Sequence, residues 1–169
     1  MAHHALVVYG TKRGSTAEIA QFVAGILRDR GLDAESLPAS EVTDLDGYDA
    51  VLMGGALYGG RWPRDVRRFA RRHRRALRER PVWMFSSGPL DSSASKTHVP
   101  PPPGVQRIMQ RTRARDHVTF GGRLEAGAEG RVARMIVEDG RGGDFRDFAR
   151  IAAWATAVAT EVGASPESL

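Results

Sequence analysis

The sequence predicts one doubly wound α/β domain over residues 1–169, with a parallel sheet that helices cover on both faces. Short apolar runs alternate about five times with segments of helical periodicity. The length of 169 residues and the 41% hydrophobic content suit one ordinary domain with a sizeable core. No internal repeat or shift of composition marks a domain boundary.

The chain begins with a strand, a polar loop and a helix. Ala5–Tyr9 is a short apolar run rich in β-branched residues, as is typical of a buried strand. Thr16 is expected to cap the following helix, because a hydroxyl can accept a hydrogen bond from a free N–H of its first turn. Apolar residues at helical spacing continue to Leu27, and Gly31 is expected to end this helix.

The second and third strands follow, and then a helix rich in arginine. Ala34–Leu37 is a weaker strand, and Ala50–Met53 has the composition of a buried one. Gly54 and Gly55 are expected to close that third strand. Pro63 suits the start of the next helix, whose apolar stripe runs to Leu77.

The second half completes the alternation. Pro81–Ser86 and His117–Gly121 are predicted as the fourth and fifth strands, and Val105–Arg113 as a short helix between them. RVARMIVED, within the Gly- and Arg-rich residues 122–143, is compatible with a helix. Asp144 is expected to open a last helix that continues to about Val162.

The composition narrows the chemistry and the location. The chain has no cysteine, which excludes disulfides, cysteine-ligated zinc, iron–sulfur clusters and a thiol nucleophile. It has no apolar run of about 18 residues or more and no signal-peptide pattern at its N-terminus. We therefore expect a cytoplasmic protein. No metal site is expected, because no pattern of metal ligands recurs at a suitable spacing.

The net charge is +5, and arginine supplies nearly all of the positive charge. Of the 25 basic residues, all but Lys12 and Lys96 are arginines. GC-rich coding would produce this bias without any functional cause. Attraction to anions such as phosphate, nucleic acid or an acidic membrane surface would produce it as well, and composition alone does not separate the two explanations.

The loop after the first strand has the chemistry of an anion site. Thr11–Thr16, which reads TKRGST, combines three hydroxyl side chains with free backbone N–H groups at a helix N-terminus. Gly14 allows a tight turn around the anion. The backbone and hydroxyl groups are expected to provide the primary grip, with Lys12 and Arg13 adding long-range attraction. Neither a Walker A motif nor a GxGxxG fingerprint is present.

This loop resembles the FMN-phosphate loop of flavodoxins, and the order of elements is similar to the flavodoxin fold. The resemblance implies a five-stranded parallel sheet of order 2-1-3-4-5 and a noncovalently bound FMN. It also implies that the loops after the third and fourth strands frame the flavin ring, as the switch-point rule for such sheets requires. The residues expected to contact the cofactor are Thr11, Lys12, Arg13, Gly14, Ser15, Thr16, Ala56, Leu57, Tyr58, Gly59, Gly60, Ser86, Ser87, Gly88, Pro89, Leu90 and Asp91.

Two aromatic residues follow the third strand. Tyr58 and Trp62 are candidates for packing against the flavin ring, since aromatic faces suit stacking. The alternative is that Trp62 anchors the following helix and that Tyr58 is a surface aromatic. The loop after the fourth strand has no aromatic residue, so Leu90 or backbone is expected to cover the other face of the ring.

A subgroup of the family matches more of the chain. The segments GTKRGSTAEIA, YDAVLMGGALYGGRW and GGRLEAG resemble the menaquinone-dependent protoporphyrinogen oxidase type of flavodoxin-domain protein. This resemblance implies an FMN-dependent oxidoreductase with a quinone acceptor and a role in heme biosynthesis. Two alternatives stay open: a one-electron carrier that serves a protein redox partner, and a domain that has kept the fold without the flavin.

Ten arginines lie between Arg61 and Arg80, around an apolar stripe that includes His73. Such a pattern is typical of a solvated helix face, and His73 is expected to be structural. It also suits docking of an acidic redox partner, an anionic substrate or an anionic membrane surface, the last giving a peripheral location at the inner membrane face. No recognition motif supports nucleic-acid binding, which is not expected.

Overall fold

The computed structural model describes residues 3–10, 15–88, 100–121, 123–124, 143–144 and 147–164. Five strands form one parallel sheet, with the bounds β1 His4–Tyr9, β2 Asp33–Pro38, β3 Ala50–Ala56, β4 Val82–Gly88 and β5 Asp116–Gly121. The strand order is β2-β1-β3-β4-β5, which confirms the predicted topology. A separate antiparallel pair, β6 Arg123–Leu124 with β7 Gly143–Asp144, has no counterpart in the sequence prediction.

Helices cover both faces of the sheet. They are α1 Ser15–Asp29, α2 Arg64–Arg72, α3 Arg74–Arg78, α4 Pro103–Thr112 and α5 Phe148–Ala164, with a short 3-10 helix at Ala39–Glu41. The apolar residues of α1 and α5 form one core with the side chains that alternate onto their face of β1, β3, β4 and β5. The apolar residues of α2, α3 and α4 form a second core with the opposite alternation.

Two helix ends show how local chemistry sets the boundaries. Gly31 follows α1 with φ +93°, and the N–H of Leu32 donates to the Leu27 carbonyl at 3.1 Å, so the helix ends in a glycine-dependent motif. The last helix begins at Phe148, since Asp147 Oδ1 accepts the N–H of Arg150 at 3.1 Å. The prediction that Asp144 opens this helix is wrong, because Asp144 belongs to β7.

The arginine-rich segment forms two helices rather than the single one predicted. His73 interrupts it with φ −102° and ψ 17°, and α3 continues from Arg74. The His73 ring packs on Phe69, with ring centroids 4.8 Å apart. Burial, reinforced by the charge of Arg72, lowers the pKa of His73 below its ordinary value.

Strands β3 and β4 both extend further than predicted. Gly54 and Gly55 do not close β3, which continues through them to Ala56. A Cβ on Gly54 would lie 2.3 Å from ring atoms of Phe85, and one on Gly55 would lie 3.0 Å from Trp62 and Pro63. The two glycines therefore allow close packing on both faces of the strand rather than a turn. Strand β4 likewise continues beyond Ser86 to Gly88.

We predict that Gly54→Ala destabilises the protein by about 1–3 kcal/mol, the usual range for overpacking a core. The Phe85 ring has little room to move, because the rings of Phe120 and Trp154 lie 6.3 and 5.8 Å from it, centroid to centroid. For a chain of this size the melting temperature should fall by roughly 2–12 °C. Thermal unfolding followed by circular dichroism measures this change.

Gly25→Ala is the matched control, since Gly25 lies inside α1 and an added Cβ would meet only the tip of Arg28 at 3.9 Å. This variant should unfold at an equal or higher temperature, because alanine favours a helix interior. Equal melting temperatures for both variants would contradict the packing role of Gly54.

Candidate functional site

The carboxyl ends of β1, β3 and β4 lie side by side at one edge of the sheet. The N–H of Gly10 donates to the Gly54 carbonyl at 3.0 Å, and the N–H of Leu57 donates to the Ser87 carbonyl at 2.8 Å. After β1 the chain crosses to one face through α1, and after β3 it crosses to the other through α2. This reversal places the topological switch point between β1 and β3, which is where ligands of doubly wound sheets bind.

The N-terminus of α1 follows the carboxyl end of β1 at this switch point. The helix begins at Ser15, so Thr16 lies within its first turn and is buried, instead of preceding the helix as the predicted cap. Thr11–Gly14, the rest of the predicted anion loop, lie outside the described residues. A Cβ on Gly10 would lie 3.0 Å from both Asp65 Oδ1 and the Pro63 ring, so the end of β1 packs tightly on the start of α2.

The chain after β3 forms a tight hairpin turn at the surface. Tyr58 and Arg61 exchange two backbone hydrogen bonds, of 2.8 and 3.1 Å. Gly59 and Gly60 between them have φ +57° and +76°, the signs that a type I′ turn requires. Both glycines are exposed, whereas Ala56, Leu57 and Tyr58 are half-buried. The backbone of this turn is therefore open to a ligand.

A buried polar chain lies behind the turn and joins three elements. The Trp62 Nε1–H donates to Ser86 Oγ at 2.9 Å, and Ser86 Oγ lies 2.8 Å from His117 Nε2. Trp62, Ser86 and His117 are at most 3% exposed. Since an indole only donates, the Ser86 oxygen is the acceptor in the first bond. The Trp62 side chain thus anchors the start of α2, which agrees with the second of the two roles predicted for this residue.

The end of β4 contributes backbone to the edge. Ser87 is buried, and its carbonyl accepts the bond from Leu57 that is given above. A Cβ on Gly88 would contact the Leu57 side chain at 3.4 Å, so these two segments pack closely. Pro89, Leu90 and Asp91 lie outside the described residues. The Ser86 hydroxyl, predicted as a cofactor contact, is already bonded inside the protein.

Two electrostatic features characterise this edge: a tyrosine whose pKa is raised by burial, and an excess of positive charge on exposed arginines. Burial raises the pKa of Tyr9, the last residue of β1, and the charge of Glu41 raises it further. Arg61 and Arg64, on either side of Trp62 and Pro63, are exposed.

In the part of the chain that the structure describes, no three potential ligands cluster as a metal site would require. No described helix is long and apolar enough to cross a bilayer.

The strand order and the position of the switch point define a flavodoxin-like α/β domain. The chain belongs to the flavodoxin domain family, whose model matches residues 6–139. Membership of this family implies that the chain binds a flavin.

A curated relative gives a more particular match. The chain is 26% identical over 83 residues to the protoporphyrinogen IX dehydrogenase [quinone] of Escherichia coli strain K12. That alignment covers 48% of this chain and 46% of the relative, so it spans about half the length of each protein.

Solved structures support the fold. An archaeal flavodoxin superposes with a TM-score of 0.59 at 11% identity, covering 95% of this chain and 99% of that one. The flavodoxin of Streptococcus pneumonia TIGR4 gives a TM-score of 0.56 at 22% identity, covering 94% of this chain and 99% of that one. A short-chain flavodoxin associated with a bacterial microcompartment gives 0.62 at 14% identity, covering 95% and 99%. At these identities the likeness extends to the fold alone.

The polar chain through Ser86 is the feature that sequence reasoning missed. The sequence predicts Ser86 as the end of the fourth strand and as a cofactor contact, and it predicts His117 only as the start of the fifth strand. Strand alternation does place both residues on the face that holds Met84 and Val82. The register of β4 with β5 was still needed to bring them together.

We predict that Ser86→Ala destabilises the protein by about 1–3 kcal/mol, because the buried Trp62 N–H loses its acceptor. The melting temperature should fall by roughly 2–12 °C. The control is Ser40→Ala, which alters an exposed hydroxyl and should stay within about 0.5 kcal/mol of the parent.

A double-mutant cycle with Trp62→Phe tests whether the two residues act together. The cycle should show a coupling free energy of at least about 0.5 kcal/mol between positions 62 and 86. Strictly additive effects would contradict a shared hydrogen bond.

Proposed function

We propose that this chain binds FMN at the carboxyl ends of β1, β3 and β4 and acts as an oxidoreductase that passes electrons to a quinone. The observation that carries the proposal is the convergence of three segments at one edge. These are the N-terminus of α1, the exposed Gly59-Gly60 turn and the end of β4. We also propose that residues 1–169 act as one domain.

The residues at this edge suit the parts of FMN. The first turn of α1, beginning at Ser15, has backbone N–H groups and a helix dipole that favour a dianionic phosphate. Thr11, Lys12, Arg13, Gly14 and Thr16 would complete this phosphate grip. The open backbone at Gly59 and Gly60 allows a flat ring to approach without a side-chain clash, since neither position carries a Cβ.

The remaining predicted contacts divide by their chemistry. Leu57 and Tyr58 would pack along the ring, and backbone at Ser87 and Gly88 would face its edge, together with Pro89, Leu90 and Asp91. Ser86 would act indirectly, by fixing Trp62 and thereby the turn. No side chain at this edge is assigned as a catalytic residue.

When bound, FMN would accept electrons from a donor and deliver them to an acceptor. The protein would hold the ring, limit water at its buried side and set the local electric field. Exposed Arg61 beside the turn and the net charge of +5 would stabilise negative charge that develops on the ring. That electrostatic bias favours a two-electron oxidoreductase over a low-potential electron carrier.

The match to protoporphyrinogen IX dehydrogenase supports a donor of that type, with a quinone as acceptor and a place in heme biosynthesis. The flavodoxins among the structural neighbours support the second candidate, a carrier for a protein redox partner. The two functions differ in whether the protein itself turns over an organic donor.

The donor assay is the direct test. The FMN-loaded protein should oxidise protoporphyrinogen IX with menadione as acceptor, moving two electrons and two protons to each quinone. Porphyrin fluorescence measures the product. The rate with FMN-loaded protein should exceed that with free FMN at the same concentration by at least about a hundredfold, since general positioning effects are large. A rate equal to that of free FMN, with FMN still bound, would favour the carrier.

We predict that Gly60→Val weakens FMN binding by about 5- to 30-fold. A valine side chain at this position obstructs the approach of the ring to the backbone. At φ +76° it also favours a different conformation of the turn that the ring contacts, so binding loses about 1–2 kcal/mol. Titration of FMN, followed by quenching of flavin fluorescence, measures the affinity.

Gly47→Val is the matched control, because Gly47 has φ +85° in an exposed loop and open space around it. This variant should lose similar stability and keep its FMN affinity within about twofold. Equal weakening by both variants would mean that strain acts through global stability. A parent protein that binds riboflavin as tightly as FMN would refute the phosphate grip.

A further inference from the structure

A cleft between α2 and α4 carries an unusual concentration of positive charge. Its volume is about 200 Å³, and six arginines line it. They are Arg61 after β3, Arg67 and Arg71 on α2, Arg74 on α3, and Arg107 and Arg111 on α4. None of the described residues that line the cleft is an aspartate or a glutamate.

The arginines come from both walls of the cleft. Arg67 and Arg71 are four residues apart on α2, as Arg107 and Arg111 are on α4, so each helix presents a pair on one face. Like charges at this spacing oppose helix formation, and charges of one sign in a cleft focus the field there. An anion held between the two walls would offset both pairs at once.

The cleft also has an apolar floor. Trp62, Ala70 and Val105 are buried beneath it, and Ile108 is half-buried at its side. A floor of this kind favours a ligand with a hydrocarbon or aromatic body over a bare inorganic ion. Planar guanidinium groups around it match carboxylate or phosphate groups in a forked, two-bond geometry.

The volume limits the size of the ligand. Pockets for drug-sized ligands usually measure about 300–1,000 Å³, so 200 Å³ suits a smaller molecule. The cleft adjoins the turn proposed for the flavin, since a Cβ on Gly104 would lie 3.8 Å from the Gly60 carbonyl oxygen. The two sites share Arg61 and Trp62, but the other residues that line the cleft belong to α2, α3 and α4, and a ligand there needs no flavin.

We propose that the α2–α4 cleft is a binding site for a compact organic anion with two or more carboxylate or phosphate groups on a small apolar body. Arg71 and Arg107 clamp the anionic groups from opposite walls, because both are exposed and neither is tied to the protein by a hydrogen bond among the described residues. Arg67 has a structural bond as well, from its Nε to the Trp62 carbonyl at 3.0 Å.

Isothermal titration of the purified chain with benzene-1,3,5-tricarboxylate tests the proposal. The double variant Arg71→Gln/Arg107→Gln should weaken binding by at least about tenfold, because two charge-assisted contacts are lost. Propane-1,2,3-tricarboxylate has the same charge without the ring, and it should bind the parent at least about threefold more weakly. Raising the salt concentration should weaken both ligands.

The matched control is Arg68→Gln/Arg75→Gln, which removes the same charge from exposed positions of α2 and α3 outside the cleft. Its affinity should stay within about twofold of the parent. Equal weakening in both double variants would overturn the proposal in favour of general attraction, and so would an absence of binding to the parent. Phosphatidylglycerol vesicles test a membrane surface as the alternative ligand. If the vesicles capture the parent but not the cleft variant, and the parent does not bind the tricarboxylate, the proposal is overturned in favour of a membrane surface.

Discussion

The site edge of the sheet depends on the absence of side chains at Gly54 and Gly55. Both faces of β3 are closed there by large rings. A Cβ on Gly54 would clash with Phe85 on one side, and a Cβ on Gly55 would be in unusually tight contact with Trp62 on the other. Because interiors are packed to nearly crystalline density, the positions of those rings are fixed by the strand itself. The residues that directly follow β3 are therefore fixed in position, so the Tyr58–Arg61 turn begins at a rigid part of the structure.

The hydrogen bonds of Trp62 extend this constraint across the sheet. Its indole reaches Ser86 on β4, and Ser86 reaches His117 on β5, so three neighbouring elements share one buried polar chain. A buried polar group is costly unless it is satisfied, and each bond here fixes the position of the next. The exposed glycines of the turn lie just before the anchored Trp62. Such an arrangement suits a ligand edge, where a rigid scaffold presents adaptable backbone.

The sequence predicted the sheet far better than the edge. Alternating apolar runs and helical periodicity predicted five strands in a doubly wound sheet, because the strands other than β2 are largely buried. The order of the strands was implied by the resemblance to flavodoxins, and the structure has that order. The end of β3 was predicted wrongly, because the sequence does not distinguish a glycine that relieves close packing within a strand from a glycine that allows a turn. His73 and Asp147 set helix boundaries through local geometry that periodicity does not register. The Ser86–His117 contact required the register of two strands.

The arginine content has two explanations, one that concerns the whole sequence and one that concerns the cleft. Biased coding would account for arginines in place of lysines, and it would apply equally to Arg68 and Arg75, which do not line the cleft. It does not explain why two helices from separate parts of the chain each place a pair four residues apart toward the same gap. Packing of α2 and α4 on the sheet brings those pairs face to face. The repulsion between them opposes that packing unless an anion lies between the helices, so the cleft makes physical sense as a binding site.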